Sequence, residues 1–247
     1  MILLQLAFLV ALADQPVDKP EATLSAVCRK VAEGPKIDGK LDDPCWGQAQ
    51  LIDKFPTYWN GTPSSGSTKA RLLWDDRYLY FAATMTDKEL RAFGTKRNDH
   101  LWNGDVFEMF FKPSVDAPAY YELQANPRSV ILEIPFAKRG GSFEEGAALP
   151  PSGMTAVATV DGTLDQPGDI DRSWTVEGKI PWTFFAPTGG KPKPGDVWTF
   201  ALCRYDYGSE GTEPVLTSSA PLTVGSFHRY EDYGKLTFEA GPVKGGK

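Results

Sequence analysis

The sequence predicts an all-β protein, an antiparallel β-sandwich of two packed sheets, jelly-roll or immunoglobulin-like, with one or two short helices. Runs in which apolar and polar residues alternate recur along the chain, as in half-buried strands. The 247 residues include 24 glycines and 20 prolines, which favours short elements joined by turns. No helical period lasts beyond a turn or two. The length suits one domain with a substantial core.

The alternating runs place the strands in chain order. Residues 69–87 (KARLLWDDRYLYFAATMTD) predict a hairpin around a Trp-Asp-Asp-Arg turn, and residues 105–113 (DVFEMFFKP) predict the next strand. Residues 119–136 predict two strands around an Asn-Pro-Arg turn. Further strands are predicted at 154–162, 173–182, 195–208 and 233–239.

Short helices and cysteines complete the local pattern. Residues 42–50 (DDPCWGQAQ) and 180–186 (IPWTFFA) predict one short helix each, and Asp42 or Asp43 is the expected cap of the first. The cysteines are Cys28, Cys45 and Cys203. A Cys28–Cys45 disulfide and three free thiols both remain open, whereas Cys203 sits in an apolar strand and is expected in the core. The spacing lacks the C-x-x-C of a zinc site.

The N-terminus predicts a secretory signal peptide at residues 1–13. Residues 2–13 are almost wholly apolar, too short to cross a bilayer as a helix, and end in Ala11-Leu12-Ala13. Cleavage after Ala13 would give a secreted or periplasmic protein; a buried N-terminal strand is the alternative. No other segment predicts a membrane span. The predicted organisation is then a mobile lead-in at 14–25, a single sandwich at 26–240 and a mobile tail at 241–247.

The charge pattern restricts the partners. A net charge of −6 gives the protein no electrostatic reason to hold nucleic acid or an anionic membrane, so neutral ligands or cations are expected. Acidic turns at Asp75, Asp76 and Asp87 offer oxygen ligands for Ca²⁺, although their spacing is not that of an EF-hand. Solvated turns without a metal are the alternative.

A glutamate interrupts the most apolar strand. Within residues 105–113, Glu108 shares a face with Val106 and Phe110. A buried and unpaired carboxylate is costly, so Glu108 needs a partner or a polar cleft. An ion pair with a basic residue such as Arg204 and a wet cleft are both open.

The next strand carries a matching polar face. Its residues Tyr120, Glu122, Gln124 and Asn126 alternate with apolar side chains. Acids and amides aligned on two strands predict a concave sheet surface that meets hydroxyl groups.

Aromatic residues stand in two polar loops. Trp102 is flanked by Asn98, Asp99, Asn103 and Asp105, a composition typical of a site that grips a sugar. The flat ring packs on C–H groups while the polar groups bind hydroxyls; a tryptophan lid over the sheet end is the alternative.

The second aromatic loop precedes the last strand. It contains Phe227, His228, Arg229 and Tyr230. If the strand ends meet, Phe227 is expected to face Trp102 across a slot.

At these residues the chain resembles a family 9 carbohydrate-binding module of the DOMON-like sandwich class. KIDGKLDDPCWGQA resembles the family's I-D-G-x-x-D-x-x-W start, and LWNGDVFEMFF resembles its W-x-x-D-x-x-E-x-F motif. The hairpin at 69–87 and the segments WTVEGKIPW, PGDVWTFALCRYD and FHRYEDYGKLTF follow in the family's order, covering about residues 30 to 240.

The resemblance implies a function and a set of residues. It implies non-catalytic binding of a sugar, often at the end of a plant-type polysaccharide, with structural Ca²⁺ in some members. Trp102 matches the first clamping ring, Phe227 stands where the second ring is usually tryptophan, and Glu108 matches a hydroxyl-binding glutamate. Glu122 stands near the place of a basic residue in the family. The expected sugar-binding set is Trp102, Phe227, Glu108, Asn103, Asp105, Glu122, Gln124 and Arg229.

Other functions remain as alternatives. A haem-binding or adaptor DOMON-like domain would bind no sugar; haem would require axial ligands from His100, His228, Met85 or Met109, and Met109 has a core pattern. A glycoside hydrolase would require two carboxylates at a defined separation. We expect no enzyme activity, and partners among secreted glycan-degrading proteins in polysaccharide catabolism.

Overall fold

The computed structural model describes residues 24–57, 59, 66–208 and 213–241, and in them the chain is all-β, as predicted. Every predicted strand is present, and two further short strands, β1 and β10, were not predicted. The strands are Ser25–Lys30 (β1), Thr68–Trp74 (β2), Tyr78–Thr86 (β3), Val106–Lys112 (β4), Tyr120–Ala125 (β5), Ile131–Phe136 (β6), Thr155–Asp161 (β7), Ser173–Pro181 (β8), Val197–Asp206 (β9), Val215–Ser218 (β10) and Gly234–Glu239 (β11).

The strands form one continuous hydrogen-bonded sheet rather than two separate antiparallel sheets. Its order is β6-β5-β4-β9-β11-β1-β2-β3-β8-β7, with β10 paired to β9. The prediction of a purely antiparallel arrangement was wrong at β1, which pairs in parallel with both β11 and β2. Because β1 joins the two halves, the sheet folds over itself without a break at that point.

The core lies between the two halves of the folded sheet. Side chains of β2, β3 and β8 meet those of β4, β5 and β9 in one buried cluster. Its members include Leu72, Phe81, Met85, Val176, Phe107, Met109, Leu123 and Leu202. Met109 is therefore a core residue, in agreement with its pattern. A second apolar cluster lies on the opposite face of β4, β5 and β6. This face is turned away from the core between the two halves of the sheet.

The two predicted helices are short 3₁₀ helices, Pro44–Gln48 and Trp182–Thr188. Asp43 precedes the first, but its carboxylate accepts the amide of Lys36 (3.0 Å) and makes no cap bond. A short α-helix, Phe143–Ala147 (α1), was not predicted.

Predictions for the chain ends lie almost wholly outside the described residues. This holds for the signal peptide at 1–13, for the tail after residue 241 and for the lead-in, whose last residue Ser25 begins β1. The three cysteines are unpaired: Cys28 and Cys203 are buried and Cys45 packs in another cluster, so the Cys28–Cys45 disulfide is not formed. In the described part of the chain, no helix has the length and hydropathy needed to span a membrane.

One buried carboxylate fastens the segment before β2 to the sheet. Glu177 on β8 accepts the indole N–H of Trp46 (2.7 Å) and the backbone amides of Asp38 (3.0 Å) and Gly39 (3.2 Å). Gly39 has a left-handed φ of 80°, which glycine adopts without strain. The spacing from Ile37-Asp38-Gly39 to Trp46 therefore lets two backbone amides and one indole donate to the same carboxylate, that of Glu177.

We expect Glu177→Gln to lower the free energy of unfolding by about 1–3 kcal/mol, because the new NH₂ group faces donors that it cannot satisfy. Urea denaturation measures the change. The control is Glu239→Gln, whose exposed carboxylate pairs with Arg29 at 3.5 Å and should change stability by less than about 0.5 kcal/mol. Equal effects of the two substitutions would contradict the anchoring role.

Candidate functional site

A cleft of about 550 Å³ lies on the outer face of β4 and β5, opposite the core between the sheet halves. The sheet forms its floor, and two loops and the segment before α1 form its walls. Its lining residues are Trp102, Glu108, Phe110, Tyr120, Glu122, Gln124, Phe136, Arg139, Gly140, Gly141, Phe143, Tyr205, Gly225, Ser226, Phe227 and His228.

Three polar side chains meet on the floor. Gln124 on β5 lies directly across from Glu108 on β4, and Glu122 lies two residues before Gln124 on the same face. The Nε2 of Gln124 donates to Oε1 of Glu108 (2.7 Å) and to Oε1 of Glu122 (2.7 Å). Glu108 is 2% exposed, Glu122 is 5% exposed and Gln124 is fully buried. One amide thus holds both carboxyl groups.

Burial governs the electrostatics of this floor. Loss of solvation raises the pKa of Glu108 well above its usual value, and repulsion by Glu122 raises it further. Burial raises the pKa of Glu122 to about 7, opposed by the hydrogen bond from Gln124. The ion pair between Glu108 and Arg204 does not form, because Arg204 binds Asp87 (2.9 Å) and Asp206 (3.1 Å) instead. Glu108 therefore faces the cleft.

One wall is built around Trp102. Its loop is anchored by the buried Leu101 and by the hydroxyl of Tyr207, which donates to the carbonyl of Trp102 (2.8 Å). The partly buried indole stacks on His100 (centroids 4.5 Å apart, 17°) and meets Phe143 edge-on (5.5 Å, 89°). The indole thus lines the cleft and lies outside the core between the sheet halves.

The loop before β11 forms the opposite wall. The hydroxyl of Tyr233 donates to the carbonyl of Phe227 (2.6 Å), and the hydroxyl of Tyr120 is hydrogen-bonded to Nδ1 of His228 (2.8 Å). The Phe227 ring is 5% exposed and packs against Phe110 and Tyr205. Burial lowers the pKa of His228, and the positive charge of Arg139 lowers it further.

Five of the eight predicted sugar-binding residues line this cleft, and three do not. Those that line it are Trp102, Phe227, Glu108, Glu122 and Gln124. Asn103 lies in a neighbouring depression with Phe93 and His100. Asp105 is fully buried and accepts the amides of Arg91 (2.6 Å) and Tyr207 (2.7 Å), which is a structural role. Arg229 points to Glu231, 3.5 Å away.

Sequence reasoning missed Phe143 and Arg139. Phe143 contacts both His100 and Trp102, but it belongs to a short helix without a helical period. Arg139 lies in the loop before it, with its guanidinium 4.2 Å from the ring centre of Tyr230 and paired with Glu231. Neither residue stood in a motif; only the cluster of Gly140 and Gly141 marked the loop.

The residues predicted for calcium do not come together. Asp75 accepts backbone amides in the β2–β3 turn and the hydroxyl of Tyr80, and Asp76 pairs with Lys30 and Lys191. Asp87 follows the other end of β3.

The one carboxylate cluster with ligand spacing in the described part of the chain joins Asp87, Asp105 and Asp206. The guanidinium of Arg204 already supplies the cation there, and both oxygens of Asp105 accept backbone amides. A Ca²⁺ ion there would compete with this guanidinium for the oxygens of Asp87 and Asp206.

The comparison with protein families identifies the domain. The model described as "Carbohydrate family 9 binding domain-like" matches residues 37–240. The chain belongs to this family. The resemblance to family 9 carbohydrate-binding modules noted in the sequence is therefore confirmed.

Curated relatives contain this module within longer chains. The chain is 26% identical over 203 residues to "Endo-1,4-beta-xylanase A" of Thermotoga maritima, which covers 82% of this chain and 17% of the xylanase. It is 30% identical over 156 residues to the protein of the same name from Thermoanaerobacterium saccharolyticum, covering 63% and 12%. The chain thus spans less than a fifth of the length of either relative.

Solved structures of other proteins share the fold. A module of Caldicellulosiruptor kristjanssonii in complex with cellotriose gives a TM-score of 0.61 at 16% identity, over 91% of this chain and 97% of that one. A putative carbohydrate-binding protein of Bacteroides uniformis gives 0.66 at 17% identity, over 88% and 100%.

We expect the free energy of unfolding to fall as pH rises from 5 to 8, in part because of Glu122. Its folded-state pKa of about 7 exceeds the unfolded value of 4.5, so the folded state binds the proton more tightly and loses that advantage as the group ionises. Glu122→Gln should remove up to a few kcal/mol of this fall, since one pKa unit corresponds to about 1.4 kcal/mol.

Urea denaturation at pH 5, 6, 7 and 8 measures the difference. Glu145→Gln, on the exposed surface of α1, is the matched control and should keep the wild-type pH dependence. If Glu122→Gln keeps it as well, the carboxyl at 122 is not buried as described.

Proposed function

We propose that this protein is a non-catalytic module that binds the end of a saccharide chain in the cleft over β4 and β5. The observation that carries the proposal is the pairing of aromatic walls with a floor of hydrogen-bond acceptors. Glu108 and Glu122 line the same cleft as Trp102 and Phe143. A sugar offers C–H faces to rings and hydroxyl donors to carboxyl groups, which matches this arrangement.

An unsatisfied acceptor on the floor supports a polar ligand. The Oε1 of Gln124 is buried and makes no hydrogen bond within the described residues. Leaving such an atom unpaired costs about 1–3 kcal/mol, and a ligand hydroxyl near it would recover part of this. An apolar ligand would leave this acceptor without a hydrogen bond.

The aromatic residues that we propose to contact the sugar differ from the predicted pair, Trp102 and Phe227. We propose that Trp102 provides the stacking face and that Phe143 closes the same side, since both are partly buried and in contact. Phe227 is 5% exposed, so its ring presents little more than an edge to a ligand and shapes the far wall.

The placement of the two carboxyl groups argues against hydrolysis. A glycosidase needs its carboxyl groups on either side of the scissile bond. Glu108 and Glu122 share one amide nitrogen and lie side by side on the floor, so both would meet the same side of a ligand. Binding without cleavage is the chemistry that this geometry supports.

The relatives suggest the class of ligand and the setting. The solved complexes contain cellotriose and glucose, and the curated relatives are xylan- and glucan-degrading enzymes by name. We propose a β-glucan or xylan end as ligand. We further propose export from the cytoplasm, supported by the apolar run that ends at Ala13; N-terminal sequencing of the mature protein should begin at Asp14.

Calorimetric titration with glucose, cellobiose, cellotriose and xylobiose tests the function. We expect at least one of these sugars to bind, and Trp102→Ala to weaken its binding at least about tenfold through loss of the stacking face. Trp59→Ala, at an exposed tryptophan outside the cleft lining, is the control and should bind as the wild type does.

A correctly folded protein that binds none of these sugars would overturn the proposal. Release of reducing ends from cellotriose or xylobiose, lost in Glu108→Gln, would instead show an enzyme.

A further inference from the structure

The floor of the cleft carries two carboxyl groups without a strong cationic partner. Among the described residues no lysine or arginine nitrogen lies within 4 Å of Glu108 or Glu122. The nearest basic group is Nε2 of His228, 3.8 Å from Oε2 of Glu122, and burial keeps the pKa of that imidazole below its usual value. Buried carboxylates are normally paired, so the floor lacks a positive charge.

When the carboxyl groups are ionised, hydrogen-bond acceptors also outnumber donors there. The two N–H groups of the Gln124 amide are the donors to the carboxyl groups, and its buried Oε1 is a further acceptor without a partner. A neutral sugar hydroxyl donates one hydrogen, whereas an ammonium group donates three and carries the missing charge. Hydrogen bonds between charged groups are roughly twice as strong as neutral ones.

The walls are compatible with a cation. The rings of Trp102, Phe143 and Tyr120 surround the floor, and aromatic faces attract positive charge. The one arginine of the lining, Arg139, lies at the rim, where Glu231 and the ring of Tyr230 hold its guanidinium. It therefore does not neutralise the floor.

We propose that the cleft prefers a sugar that carries a free amine, a hexosamine end, with the ammonium group seated between Glu108 and Glu122. This inference rests on the proposed function and specifies the ligand of that same site. A de-N-acetylated polysaccharide is the class of polymer that would present such an end.

The preference depends on pH through the groups around the floor. Those that face it are Glu108, Glu122, Tyr120, Cys203, Tyr205, His228, Tyr233 and, from the rim, Arg139. Burial raises the pKa of Glu122 to about 7, so this carboxyl group gains its charge around that pH. The preference for the amine should therefore rise between pH 5 and pH 7, while the amine is still largely protonated.

Calorimetric titration with glucose, glucosamine, N-acetylglucosamine and glucuronate at pH 5, 6 and 7 tests this. At pH 7 we expect glucosamine to bind about tenfold more tightly than glucose, and the ratio to shrink at pH 5. N-acetylglucosamine, which keeps the nitrogen but not the charge, should show no advantage. Glu122→Gln should reduce the glucosamine-to-glucose ratio towards one, and Glu145→Gln on α1 should leave it unchanged.

The outcomes separate this inference from the proposed function. Binding of glucose that equals or exceeds that of glucosamine at pH 7 overturns the amine preference and leaves saccharide binding intact. Tighter binding of glucuronate than of glucosamine also overturns it, because Arg139 would then set the charge preference. If none of these sugars nor cellobiose binds to the folded protein, both proposals fail.

Discussion

The sharing of one amide nitrogen between two buried carboxyl groups is the constraint on which the rest of the site depends. Gln124 cannot donate to both Glu108 and Glu122 unless β4 and β5 keep their register, with residue 108 across from residue 124. A slip of β4 by one residue would move Glu108 to the core face, out of reach of Gln124. The packing on the other face of β4, where Phe107, Met109 and Phe111 are buried, prevents that slip.

The fold protects this floor while leaving it open on one side. Because β4 is central in its half of the sheet, between β5 and β9, its backbone is fully paired and rigid. The walls are loops, and single hydroxyl groups hold them in position: Tyr207 on the Trp102 loop and Tyr233 on the Phe227 loop. In the opposite half of the sheet, the hydrogen bond from the Trp46 indole to Glu177 holds the segment before β2 in position. The strands thus carry the carboxyl groups of Glu108 and Glu122, and the loops held by these hydrogen bonds carry Trp102 and Phe227.

Much of the fold followed from the sequence because alternation along strands is a local property. The hairpin at 69–87 and the polar face of Glu122 and Gln124 could be read directly from period-two patterns. The parallel pairing of β1 could not, since it joins residues near opposite ends of the chain. For the same reason the hydrogen bonds of Asp105 could not be predicted: it accepts the amides of Arg91 and Tyr207, which are distant in sequence.

The most direct test of this account is a carbon-13 NMR titration of the glutamate side-chain carboxyl groups, with and without saturating sugar. We expect the resonances of both Glu108 and Glu122 to titrate above the usual range of a glutamate in the free protein, with a pKa of about 7 for Glu122. We also expect both titration curves to move when sugar is added. Titration of both groups near pH 4.5, unaffected by sugar, would contradict it.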